Sequence, residues 1–178
     1  MNAGPILIRR AEPRDADPLA VLAMQVWVHN YAKSGIHPTI ARYVLDTFTP
    51  ARFAALLHDR EMLVLLAERG RHVIAMTVVA LGRRTEHCDA MTQAEIDRLY
   101  VQEAFCNAGI GAQLIAAIHG ELEARHIDAV WLEVWIENER ALHFYARHAY
   151  DDVGTAYFEL DGKQQENRVL VKRIRPAR

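Results

Sequence analysis

"EIDRLYVQEAFCNAGIGAQLIAAIHGELEARHIDAVWLEVW", residues 95–135, decides the architecture of this chain. Its first part, "EIDRLYV", alternates as a strand does. A small-residue loop, "AFCNAGIGAQL" (104–114), hands over to a helical pattern in which Ile110, Leu114, Ile118 and Leu122 form one stripe, with Gln113, Glu121 and Glu123 largely off it. "AVWLEVW" is a second strand. Strand, helix and strand at crossover length imply two strands lying parallel in one sheet.

Outside this unit the connections are short. "PILIRRAEP" reads as a first strand, and "RDADPLAVLAMQVWVHNY" as a helix with Asp15 or Asp17 as cap and Pro18 in its first turn. A second helical stretch follows "KSGIHP" and runs to about Leu45; "TPARFAALLHD" is a third, with Thr49 as cap and Pro50 at its first position. "EMLVLLAER" and "HVIAMTVVALG" flank "RGR" as a hairpin with Gly70 in the turn. "ENERALHFYARHA" is a short helix, and "TAYFEL" and "NRVLVKRI" close the chain as a hairpin around "DGKQQE". The expected fold is α+β: a mixed, mostly antiparallel seven-stranded sheet with one parallel pair, flanked by four to five helices. With no repeat or linker in 178 residues, one domain over 1–178 is expected.

Composition narrows the function. A net charge of −2, from 21 basic and 23 acidic residues, argues against a nucleic-acid binder that relies on a broad basic field. The N-terminus lacks the apolar stretch of a signal peptide, and "VIAMTVVAL" is half of what a membrane span needs, so a cytoplasmic protein that does not act in a membrane is expected. Cys88 and Cys106 lack CxxC spacing and read as reduced thiols. His143 and His148 stand about 140° apart around a helix, and no HExxH cluster exists, so no metal is expected.

The first N–H groups of a helix have no internal partner, and the helix dipole makes that end electropositive. Gly109 and Gly111, with Ala108 and Ala112, leave this backbone open to a phosphate. A tight turn whose glycines permit close packing is the alternative. No Lys-Ser/Thr pair and no third glycine follow, which argues against a kinase, P-loop NTPase or dinucleotide oxidoreductase. In "EVWIENERALHFY", Asn138 and Tyr145 are seven residues apart and return to nearly one face of a helix, about 10 Å along its axis. Two readings of each stay open: N-cap or ligand contact for Asn138, amphipathic core residue or site residue for Tyr145. Phe144 points away and reads as core.

"EIDRLYVQEAFCNAGIGAQLI" followed by "WLEVWIENERALHFYARHAY" resembles the two central motifs of the GCN5-related N-acetyltransferases (GNAT). The resemblance covers about a third of the chain closely, and the order of the remaining elements is similar. It implies that the parallel strands splay, that acetyl-CoA enters between them as cosubstrate, and that its pyrophosphate rests on Cys106, Asn107, Ala108, Gly109, Ile110, Gly111 and Ala112. It further implies that the backbone of Leu99, Tyr100 and Val101 holds the pantetheine and supplies an oxyanion donor, and that Tyr145 protonates the departing sulfur. Asn138 matches the asparagine that holds the pantetheine arm or an ordered water. Acetyl passes directly from thioester to a primary amine, with no enzyme nucleophile. Glu95 and Asp97 face one side of their strand and are candidates for the base, with Glu133 behind them; solvated or salt-bridged strand ends are the alternative.

The chain departs from the family pattern at Cys106, Asn107 and Ala108, where Gln or Arg, a glycine and a basic residue are usual. The backbone nest and dipole remain, so binding that persists but is weaker, or more dependent on distant cations such as Arg147, is expected. Cys106 near a helix N-terminus is either an oxidisable thiol or a small tolerated residue. Ala149-Tyr150 replaces the common Gly-Phe. Trp27, Tyr31, His37, Tyr43 and Trp135 are candidate walls of an acceptor pocket, with a core role as the alternative for each. Together with "VWVHNYAKSGIHP", the motifs look most similar to bacterial Pai-type polyamine N-acetyltransferases. A polyamine would suit Glu95, Asp97, Glu133 and Glu137. A protein N-terminus or lysine, an amine antibiotic, or a non-catalytic acyl-CoA-binding module remain as other readings, and the closing hairpin is a candidate homodimer surface.

Overall fold

Strand alternation and helix capping resolve into twelve regular elements in the computed structural model, which describes residues 4–160 and 163–175. In chain order they are β1 (Ile6–Arg10), α1 (Ala16–Tyr31), α2 (Pro38–Thr47), α3 (Pro50–His58), β2 (Met62–Arg69), β3 (His72–Leu81), β4 (Gln93–Val101), α4 (Ile110–Ala124), β5 (Ala129–Trp135), α5 (Glu139–Arg147), β6 (Asp151–Leu160) and β7 (Lys163–Arg173). The strands form one seven-stranded sheet in the order β1-β2-β3-β4-β5-β7-β6. Only β4 and β5 run parallel among the pairs whose register is defined; β1–β2, β5–β7 and β6–β7 are antiparallel. The parallel ladder comprises Gln93↔Ala129, Ala94↔Val130 and Glu95↔Trp131, and both strands continue past it. The fold is α+β, as the crossover unit implied.

The chain divides into two compact units, one formed by the residues up to Val78 with Arg98–Ala117, the other by Val79–Asp97 with the residues from Ile118 onward. β3, β4 and α4 run through both. In the first unit Leu19, Ala20, Leu22, Ala23, Val26 and Trp27 of α1 are buried with Phe48, Phe53 and the strand residues Leu63 to Ala67. Thr49 caps α3 by accepting from Arg52 N–H at 3.2 Å, with Pro50 in the first turn. His37 does the same for α2 through Thr39 N–H.

The expected cap of α1 is used differently. Asp15 stands at the N-cap position, but its carboxylate accepts from both Arg9 Nη atoms (2.7 and 2.9 Å) and from Glu12 N–H (2.7 Å). Arg9 also bonds Glu68 on β2. An Arg fork is a stronger partner for a buried carboxylate than a neutral helix N–H, so the ion pair takes the side chain.

In the second unit β5 is central, and its Ala129 to Leu132 and Val134 are all buried, which is why the strand reads as a near-continuous apolar run. The segment 83–92 lies across one face of it, with Ala90 packed against Ala129, Trp131, Val169 and Val171. Gln93, 1% exposed, holds that segment down by donating to Cys88 O (2.8 Å) and Ala90 O (3.0 Å) and accepting from Thr85 N–H (2.9 Å). At the bulge near Asp152, Gly154 sits so close to the His87 ring that a Cβ would overlap it.

Strand limits move from the expected ones where pairing, not side-chain pattern, sets them. β4 begins at Gln93, β6 at Asp151 and β7 at Lys163, because the ladder pairs Asp151 with Val171 and Glu159 with Gln164. Much of "DGKQQE" is therefore strand; the expected turn at Asp161 and Gly162 lies outside the described residues, as does the start of the chain before Gly4. Among the described residues no helix is long and apolar enough to cross a membrane.

Candidate active site

The glycine loop belongs to the first unit. After β4, Gln102 N–H donates to Ile74 O (3.1 Å), a 3₁₀ turn spans Glu103–Phe105, and Cys106 is extended. Asn107 (φ +62°) and Gly109 (φ +75°) then take the left-handed conformation, and the first α-helical bond of α4 is Gln113 N–H to Gly109 O at 3.1 Å. The N–H groups of Ile110, Gly111 and Ala112 precede it and have no intrahelical acceptor. Asn107, Ala108 and Gly109 are exposed, and a Cβ placed on Gly109 would meet nothing within 4 Å. Close packing therefore does not account for this glycine; its φ and the open space above it do. Such a loop fits a pyrophosphate by backbone alone.

Cys106 Sγ lies 3.6 Å from Gln102 O and from Glu103 Oε2, oxygens to which a thiol can donate. Arg69, which sequence reading missed, places its guanidinium 5.3 Å over the Phe105 ring, bringing a cation to the turn before the loop. Tyr100, on the face of β4 opposite Leu99 and Val101, meets Phe48 edge-on at 6.5 Å. Trp27 is buried, its ring 4.8 Å from each of the Tyr31 and Tyr43 rings and tilted by 30° and 31° to them. Tyr31 stands at the half-buried border of this cluster, where burial raises the pKa of its phenol.

The second unit holds the other candidates. Tyr145, on α5, is 6% exposed, with its ring edge-on to Phe144 (5.1 Å) and Tyr150 (5.2 Å). Phe144, expected in the core, is only half-buried. Burial raises the Tyr145 phenol well above its ordinary pKa, so it stays protonated at neutral pH. Among the described residues nothing hydrogen-bonds its hydroxyl. Asn138 is the N-cap of α5: its Oδ1 accepts from Ala141 N–H at 3.2 Å, leaving the amide NH₂ to donate elsewhere.

Glu95 and Asp97 do share a face of β4, and both meet Arg83, at 2.6 and 3.9 Å. Burial raises the Glu95 pKa, Arg83 opposes that rise, and the charges of Asp97 and Glu133 add to it. Arg83 is fixed from behind, since its carbonyl accepts from Trp131 Nε1 at 3.0 Å. The sequence gives no local signal for this partner, twelve positions upstream in the loop between β3 and β4. Glu133 accepts from Asn167 (3.0 Å), and Trp135, paired with Asn167 across the ladder, is half-buried. Among the described residues no group of three or more His, Cys, Asp or Glu is arranged to hold a metal ion.

Residues 30–150 match the model of the acetyltransferase (GNAT) family, and the chain belongs to that family. It is 25% identical over 160 residues to an uncharacterized N-acetyltransferase of Mycobacterium tuberculosis, covering 90% of this chain and 98% of that one. In fold it is similar to the PaiA N-acetyltransferase of Thermoplasma acidophilum in complex with coenzyme A (TM-score 0.73, 18% identity, 95% of this chain and 99% of that one). It is similar also to the ribosomal-protein-alanine N-acetyltransferase of Brucella melitensis (TM-score 0.74, 19% identity, 94% and 99%). The protein is an N-acetyltransferase, and its cosubstrate is acetyl-CoA.

Proposed function

We propose that this enzyme acetylates a small cationic amine of the polyamine class, and that residues 1–178 work as one N-acetyltransferase domain. The observation that carries the acceptor class is the trio Glu95, Asp97 and Glu133 on neighbouring strands, three carboxylates that share one guanidinium, Arg83, which pairs with Glu95 and lies 3.9 Å from Asp97. The passage of β3, β4 and α4 through both compact units supports the single domain. The Pai-type similarity of the motifs points the same way.

Acetyl-CoA supplies the activated acetyl group. Backbone N–H groups from Asn107 to Ala112, with Cys106 at the entry, hold its pyrophosphate, and the β4 segment Leu99, Tyr100 and Val101 offers backbone to the pantetheine arm as an added strand would be offered it. The Asn138 amide is a further donor to that arm. Glu95, its pKa raised by burial, accepts the proton that the ammonium must lose, and Asp97 helps keep it basic. Tyr145 holds the proton that the departing sulfur needs. Tyr31 and Trp135 contact the acceptor, and Trp27 supports Tyr31 from within the core. Exposed Val153, Tyr157 and Phe158 on the edge strand β6 support a homodimer through the closing hairpin, and a cytoplasmic setting belongs to the same reading.

The test is thermal stability with and without acetyl-CoA, then thiol release against a panel led by spermidine, with N-terminal and lysine peptides as the other arm. Thiol release with spermidine, reduced at least about a hundredfold in Tyr145→Phe and Glu95→Gln, is the expected outcome. Turnover on peptides alone would overturn the acceptor class.

A further inference from the structure

α5 ends in a Schellman motif. Tyr150 N–H donates to Tyr145 O (3.1 Å), Ala149 N–H donates to Ala146 O (3.0 Å), and Ala149 takes φ +57°. In this motif the residue two past the cap packs against the one that opens the last turn, and these are Tyr150 and Tyr145, with ring centroids 5.2 Å apart at 66°. The helix ending itself therefore delivers the Tyr150 ring to the flank of the Tyr145 ring. Tyr150 is in turn fixed by a second contact, its hydroxyl lying 3.0 Å from His119 Nε2 on α4. A third element closes the arrangement: Lys172 on β7 places its ammonium 5.9 Å from the Tyr150 ring and donates to His148 O at 2.6 Å.

Tyr150 is 5% exposed, and a buried hydroxyl without a partner is costly, so His119 determines where Tyr150 can rest. His119 is neutral near pH 7, burial and the neighbouring Lys172 and His148 having pushed its pKa down to about 4. With its proton on Nδ1 it accepts the Tyr150 O–H at Nε2. Tyr145, by contrast, has no hydrogen bond of its own among the described residues to fix its hydroxyl. Its direction rests on packing.

We propose that Tyr150, anchored by His119, is a positioning residue that aims the Tyr145 hydroxyl at the departing sulfur. The proposal rests on Tyr145 as the proton donor. It also gives a role to the hydroxyl that distinguishes Tyr150 from the phenylalanine common in the family. Phenylalanine fills the same space, but it has no bond to α4.

The experiment compares Tyr150→Phe, His119→Leu, His119→Gln and the Tyr150→Phe/His119→Leu double variant with Tyr145→Phe, measuring kcat, both KM values and Tm. Tyr150→Phe and His119→Leu are expected to lower kcat about tenfold, with KM for acetyl-CoA and amine unchanged, since a small misalignment of a reacting group weakens turnover more than binding. The double variant should be no slower than either single one, and His119→Gln, which keeps a hydrogen-bonding group, should recover most of the rate. Loss of Tm with kcat per folded enzyme unchanged would show a purely structural pair and overturn the proposal. Full activity in Tyr145→Phe would instead overturn the reading of Tyr145, whichever way Tyr150 behaves.

Discussion

Gly109→Ala separates what the loop backbone does for the fold from what it does for acetyl-CoA. The native φ of +75° is left-handed, where a Cβ crowds the following carbonyl at roughly 1 kcal/mol or slightly more. No steric penalty adds to this, because nothing stands within 4 Å of the new Cβ. For a chain of this size about 1 kcal/mol lowers Tm by about 2–4 °C. On the proposed reading, the same methyl adds bulk to the open space beside the first turn of α4 that a phosphate would use. If it weakens acetyl-CoA tenfold, the stabilisation at a ligand concentration of about 100 times the native Kd falls from about 2.7 to about 1.4 kcal/mol. Differential scanning fluorimetry across an acetyl-CoA titration reads both quantities. A lower basal Tm with an undiminished ligand-induced shift would refute the anion-site reasoning while leaving the backbone account intact.

Ala149→Gly is the converse case. Ala149 holds φ +57° at the position after the α5 cap, and glycine there should raise stability by about 1 kcal/mol in chemical denaturation with no loss of activity. Asp15→Ala removes the partner of Arg9 at a carboxylate only 6% exposed and should destabilise by about 2–3 kcal/mol, read as a fall in the urea midpoint. Acid should act in two stages. The folded-state pKa of His119 is depressed to about 4, so the unfolded chain binds its proton first, and stability declines as pH falls from 6.5 towards 4, by on the order of 1 kcal/mol after discounting for partial exposure. Asp15, whose pKa Arg9 lowers, contributes fully above pH 3.8 and is lost as pH falls below it. His119→Gln should abolish the first stage only, as seen by Tm measured against pH.

The sequence by itself determined the elements and the chemistry tied to local geometry. The stripe Ile110, Leu114, Ile118 and Leu122 is buried, and it was legible because 3.6-residue periodicity needs no tertiary information to read. The crossover length of 95–135 sufficed for the parallel pair. Spacing also put Asn138 at the head and Tyr145 near the end of one helix. Tertiary structure decided whatever depends on a partner distant in the chain. Asp15 turned from helix cap to ion-pair partner because β1 brought Arg9 to it, and Glu95 acquired Arg83 from the loop after β3. Trp27 became core because α2 carried Tyr43 onto it, and Tyr150 acquired His119 from α4. The reason is physical: backbone preferences act over a few residues, whereas desolvation and charge pairing depend on which surfaces meet once the chain has folded.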